Sequence, residues 1–126
     1  MRPALAPAAL IALAAAQASA ESFTCTWRTE CYGSFGCEDT GYETYLDGTE
    51  TGGWTWSTEA GGSPAWEMTP PGPDAAPARV FFVPPARSDV SAVTLTLGSD
   101  GEAAFTQHGY LEGVTVVTYL GLCEAR

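Results

Sequence analysis

The chain of 126 residues has no lysine and no asparagine, one histidine, and five arginines against fifteen carboxylates, a formal charge of −10. Each shortage excludes something. Binding a phosphate backbone or an anionic lipid surface draws on clustered Lys and Arg, and the arginines here are scattered, so nucleic-acid and membrane-surface binding are disfavoured. Without asparagine there is no N-x-[ST] glycosylation acceptor. A lone His108 has no second histidine for a zinc site, the C-x₂₋₄-C spacing of such sites is missing, and no C-x-x-C offers a redox pair. No metal or cofactor is therefore expected. The absence of lysine and asparagine, with Ile11 the single isoleucine, is the composition of GC-rich coding and points to a bacterial source.

The one long apolar stretch is at the start. MRPALAPAALIALAAAQASA carries Arg2, an Ala/Leu-rich run from about Ala4 to Ala16, and the small-x-small site Ala18-Ser19-Ala20. This is the pattern of a cleaved secretory signal, with Pro3 and Pro7 and no basic stop-transfer cluster arguing against a membrane anchor. The expected organisation is a signal over residues 1–20 and one β domain over 21–126. Removing Arg2 with the signal leaves four arginines against fifteen carboxylates and takes the charge from −10 to −11. The expected location is periplasmic or secreted.

An exported chain with four cysteines is expected to hold two disulfides. Thr24-Cys25-Thr26-Trp27-Arg28-Thr29 has the β-branched and aromatic content of a strand. Held extended, Cys25 and Cys31 would lie about 20 Å apart, far beyond the ~7 Å limit for a bridge. Tyr-Gly-Ser-Phe-Gly, between Cys31 and Cys37, has two glycines able to take the positive φ of a reversing loop. The pairing expected is Cys31 with Cys37, leaving Cys25 in the first strand to meet Cys123 in the last.

Between these anchors the chain reads as short strands. Glu38 to Gly41 reads as an acidic turn, and Tyr42–Leu46 as a strand stopped by Asp47-Gly48. Trp54–Trp56, a piece around Trp66, Arg79–Val83, Val93–Leu97, Ala103–Gln107 and Val114–Leu120 follow. TPPGPDAAPA, residues 69–78, has four prolines and cannot be a central strand. No helix is expected. Seven or eight short strands with frequent turn signals predict an all-β fold, a small antiparallel barrel or a sandwich, and an end-to-end Cys25–Cys123 clasp favours closure into a barrel.

Signals for catalysis are weak. No G-x-S-x-G elbow accompanies His108, which reads as an exposed residue at a strand end. Glu38-Asp39 reads as a solvated pair, and Asp47–Glu50 and Ser99–Glu102 read as hairpin turns that do not match a calcium loop. No enzymatic activity is expected. The aromatics are the richer signal: Trp54 and Trp56 project to one face of their strand, and with Trp66, Tyr42 and Tyr45 they form a candidate binding face for a sugar or a protein partner, unless they fill the core.

Phe23-Thr24-Cys25 and Leu122-Cys123-Glu124, with the exported start, resemble small exported proteins of GC-rich alphaproteobacteria that share an N-terminal cysteine cluster and one cysteine in a final strand. That resemblance implies no activity. A looser similarity, through the aromatic-x-Cys start, is to periplasmic c-type lysozyme inhibitors, which are small β-barrels. Their Ser-Gly-x-basic-Tyr inhibitory stretch has no counterpart here, Ser99-Asp100-Gly101-Glu102 being acidic, so no inhibitory residue carries over. The function expected is a non-enzymatic binding or interaction domain, acidic enough to steer towards a basic protein such as a lysozyme-like one. A small-ligand-binding barrel stands second and a secreted hydrolase third.

Overall fold

Val93, Leu95 and Leu97 alternate with Thr94 and Thr96, and in the computed structural model the three apolar side chains are buried while both threonines are exposed. Period-2 alternation of this kind, repeated strand by strand, builds the molecule. Residues 20–69, 78–85, 91–110 and 112–126 are described. The expected signal and most of the proline-rich loop lie outside them.

Eight strands run β1 (Ser22–Tyr32), β2 (Cys37–Gly48), β3 (Trp54–Thr58), β4 (Gly61–Glu67), β5 (Ala78–Val83), β6 (Ala92–Gly98), β7 (Glu102–Tyr110) and β8 (Val114–Ala125). Each pairs antiparallel with the next, and β8 returns to β1, closing a barrel in simple up-and-down order. The choice between sandwich and barrel is thus settled as a barrel, with no helix among the described residues. In the β1–β8 ladder Cys25 stands opposite Cys123, and in the β1–β2 ladder Cys31 stands opposite Cys37; both pairs are bonded and no cysteine is free. The pairing expected from loop geometry is the pairing present. Two such bridges belong to an oxidising compartment outside the cytosol.

The interior is aromatic. Trp27, Leu46, Leu95 and Phe81 are fully buried, and Phe105 packs edge-on against Trp27 (centroids 4.6 Å apart) and Trp56 (5.4 Å) while stacking on Tyr119 (4.3 Å). Thr44 is the one buried polar side chain among the described residues, and its Oγ1 accepts a 2.9 Å hydrogen bond from the indole N–H of Trp27. Outward positions such as Thr26, Glu43, Thr94 and Thr96 are exposed and polar. This apolar-in, polar-out sense is the reverse of a transmembrane barrel. No helix among the described residues is long and apolar enough to cross a membrane.

A register shift between Trp27 and Thr29 affects both ladders of β1. Opposite it, Gly121 lies so close to β1 that an added Cβ would meet the Thr26 carbonyl oxygen at 2.1 Å and Trp27 Cα at 2.8 Å. Only glycine permits that approach. Two expectations need correction. Residues 38–41 are not a turn but the opening of β2, because the Cys31–Cys37 staple starts the hairpin at Cys37 and its partners Glu30 and Thr29 hold Glu38 and Asp39 in the ladder. His108 is likewise not at a strand end, since β7 continues through Gly109 and Tyr110, paired with Thr115 and Val114.

Candidate binding surface

The two ends of the barrel are built differently. At the end holding the β2–β3 and β6–β7 turns, Arg79 lies over the rings of Trp54, Phe81 and Phe23, its guanidinium carbon 5.2, 5.5 and 5.9 Å from their centroids. Its Nε and Nη2 donate to the two carboxylate oxygens of Glu67 at 2.8 and 2.9 Å, and its Nη1 to Glu21 at 2.8 Å. A planar guanidinium can stack and bind bidentately at once, which makes arginine the residue for such a stopper. The hydrogen bonds from Arg79 hold the Glu67 carboxyl below its ordinary pKa, and Glu67 in turn raises that of Arg79.

The opposite end is uneven. Strands β1, β2, β7 and β8 have 11, 12, 9 and 12 residues, whereas β3 to β6 have 5 to 7. Among the described residues 37–44 pair with β1 alone, since β2 meets β3 only from Tyr45 onward. The long strands therefore make a wall on one side of this end. The acidic side chains of Glu38, Asp39 and Glu43 blunt its free margin against strand addition.

The β1–β2 hairpin ends this wall in a four-residue loop. Below it the Cys31–Cys37 bridge fixes the two strands; within it Phe35 N–H donates to the Tyr32 carbonyl (2.7 Å) and Tyr32 N–H to that of Gly36 (3.0 Å). Gly33 and Gly36 take φ of 45° and 93°, the left-handed region, and Gly33 N–H donates to the Val116 carbonyl at 2.9 Å, tying the loop to β8. The result is a restrained loop that holds the Phe35 ring in water, 94% exposed. On the neighbouring β7–β8 hairpin Val114 is 82% and Tyr110 66% exposed. Glu30, Glu38 and Asp39 follow on the strands below the tip and Glu112 lies in the β7–β8 loop, and no arginine lies in either hairpin's loop. Tyr119 is half-buried beneath, its O–H donating to Glu30 Oε1 at 2.7 Å; burial first, then this bond, pushes its pKa well up.

The aromatic residues singled out from sequence are split between the inner and outer faces of the barrel. Trp56 is buried, and Trp54 and Tyr42 pack half-buried against the core, because the inward parity that unites Trp54 with Trp56 points both into the barrel. Tyr45 is outside on β2, under the Arg126 guanidinium at 5.1 Å. Trp66, 53% exposed, is outside on β4 opposite Phe82, with exposed Met68 nearby. The residue that sequence reasoning passed over is Phe35. Its signal was available: an aromatic flanked by glycine inside a loop closed over six residues has no core within reach.

No known protein family, curated protein or solved structure matches this chain.

Proposed function

We propose that the chain is an exported, periplasmic or secreted binding module that takes a basic protein partner through the stapled β1–β2 tip, without enzymatic activity. The observation that carries this reading is the Phe35 ring, held almost wholly in water by a restrained loop. Exposing a large apolar group costs solubility with no return to the fold, whereas an aromatic fixed before binding makes an anchor that loses little entropy when it enters a partner's pocket. The surrounding carboxylates favour a cationic rim on the partner, and the overall charge speeds encounter with it. His108 stands on the outer side of β7, exposed and cross-strand from Val116 and Ala92.

The test is capture from native envelope extract by the oxidised chain and by Phe35→Ser, at low and at high salt. A basic protein retained by the parent should bind the variant at least about 30-fold more weakly, the scale of a central aromatic anchor. Salt above the range where the Debye length falls below about 10 Å should slow association. Capture that ignores both the substitution and the salt rejects the tip as the interface. Capture abolished instead by Trp66→Ser would move the interface to the outer face of β4 and β5.

A further inference from the structure

The foot of the long-strand wall holds a recess of about 480 Å³, within the ~300–1,000 Å³ range of small-molecule sites, which favour the mouths of β-barrels. We infer that this recess is a binding site for a small neutral molecule with a planar apolar body and hydrogen-bonding groups around its periphery. The inference is independent of the stapled tip, which lies on the wall above.

The recess exists because the ends of the barrel differ. Arg79 and its carboxylates stop one end, while the short strands β3 to β6 leave the other low. The floor is set by Trp56 and Phe105, both nearly inaccessible from outside, and Val83 and Val93 continue the apolar lining on β5 and β6. These side chains favour a body of rings or hydrocarbon.

Polar groups enter from several sides. Gln107 faces inward on β7, one step above Phe105 in the same alternation, and its amide has both donors and an acceptor to offer. Across the recess Tyr42 on β2 and Thr58 on β3 line the wall, and Ser63 lines the β4 side. Burial keeps the Tyr42 phenol protonated, and the Glu59 charge acts in the same direction. None of the described lining residues is cationic. The Glu59 charge that acts on Tyr42 also opposes a carboxylate, phosphate or sulfonate in the recess, so the site favours a neutral molecule.

The experiment uses two dyes that share one ring system, neutral N-phenylnaphthylamine and its anionic relative anilinonaphthalene sulfonate, with the oxidised exported chain. Gln107 is the one amide side chain of residues 21–126, Gln17 lying in the expected signal, so the nitrogen–proton correlation spectrum of the exported chain has one side-chain amide pair, which Gln107→Glu removes. Expected are a blue-shifted rise in emission of the neutral dye, a shift of the Gln107 pair on titration, and binding of the sulfonate at least about tenfold weaker, near 1.4 kcal/mol. The spectrum of the parent protein carries the result even if the variant fails to fold, because a single pair can be assigned without it. A Gln107 pair that stays fixed while the dye binds, shifts confined to the Trp66 indole, or equal affinity for the sulfonate would each overturn the inference.

Discussion

Removing the two disulfides separately should have unequal consequences that follow from loop length. Cys25 and Cys123 are 98 residues apart and Cys31 and Cys37 only six. In the loop-entropy account the long bridge removes about 4.7 kcal/mol of freedom from the unfolded chain and the short one about 2. Cys25 and Cys123 are also buried, so alanines there leave a small void worth roughly another 1 kcal/mol, whereas the short bridge sits beside exposed residues of the hairpin. Cys25→Ala/Cys123→Ala should therefore lose about 5 to 6 kcal/mol, from roughly a third to all of the ~5–15 kcal/mol expected of a domain this size, and Cys31→Ser/Cys37→Ser about 2. Urea unfolding followed by tryptophan emission measures both. The long-bridge variant should show by far the larger fall in midpoint, and a steeper slope because its unfolded state exposes more surface. Native-state hydrogen exchange should find the β1–β8 ladder opening first in it, and only the β1–β2 tip loosened in the short-bridge variant. Equal midpoint shifts, or a larger loss for the short bridge, would refute the idea that closure of the barrel rests on the Cys25–Cys123 clasp.

Thr44→Val keeps the shape of the side chain but strands the buried Trp27 N–H; a loss of about 1 to 2 kcal/mol is expected by thermal melting, with Thr44→Ser closer to the parent. Gly121→Ala forces β1 and β8 apart at the register shift and should cost about 3 kcal/mol or prevent folding, a result that soluble yield and circular dichroism would show. Arg79→Met leaves Glu67 partly buried without its cation and should cost about 2 kcal/mol, while Arg79→Met/Glu67→Met should recover most of it in a double-mutant cycle. Because Arg79 lowers the Glu67 pKa, the stability this pair supplies is whole above the ordinary value of 4.5 and drains as pH falls through the lowered folded value. Tyr119 gives the opposite sign: its pKa is raised, so its contribution is intact below the ordinary 10.0 and is lost as pH rises past it, a dependence that Tyr119→Phe should flatten in alkaline unfolding.

Local chemistry determined a great deal of this protein from sequence alone. Alternation at 93–97 and 103–107 fixes which side chains go inward, since strand period is a property of the backbone. The Cys31–Cys37 bridge follows from what a short glycine-bearing loop can do, and the Cys25–Cys123 clasp then follows by elimination. What sequence could not supply is the third dimension of those strands. Alternation places Trp54 and Trp56 together on one side of a strand but not on the inside of a barrel, because which side becomes the inside depends on where β8 closes. Glu38 to Gly41 carries turn residues, and a bridge and a ladder partner in β1 override them. The Arg79 stopper, with Phe81 on its own strand, gathers Glu21 and Phe23, Trp54, and Glu67 from three other stretches of chain, a meeting no local pattern encodes. The same holds for the wall and its recess: strand lengths are local, but their unevenness becomes a tip and a cavity only when the sheet curls round and sets long strands beside short ones.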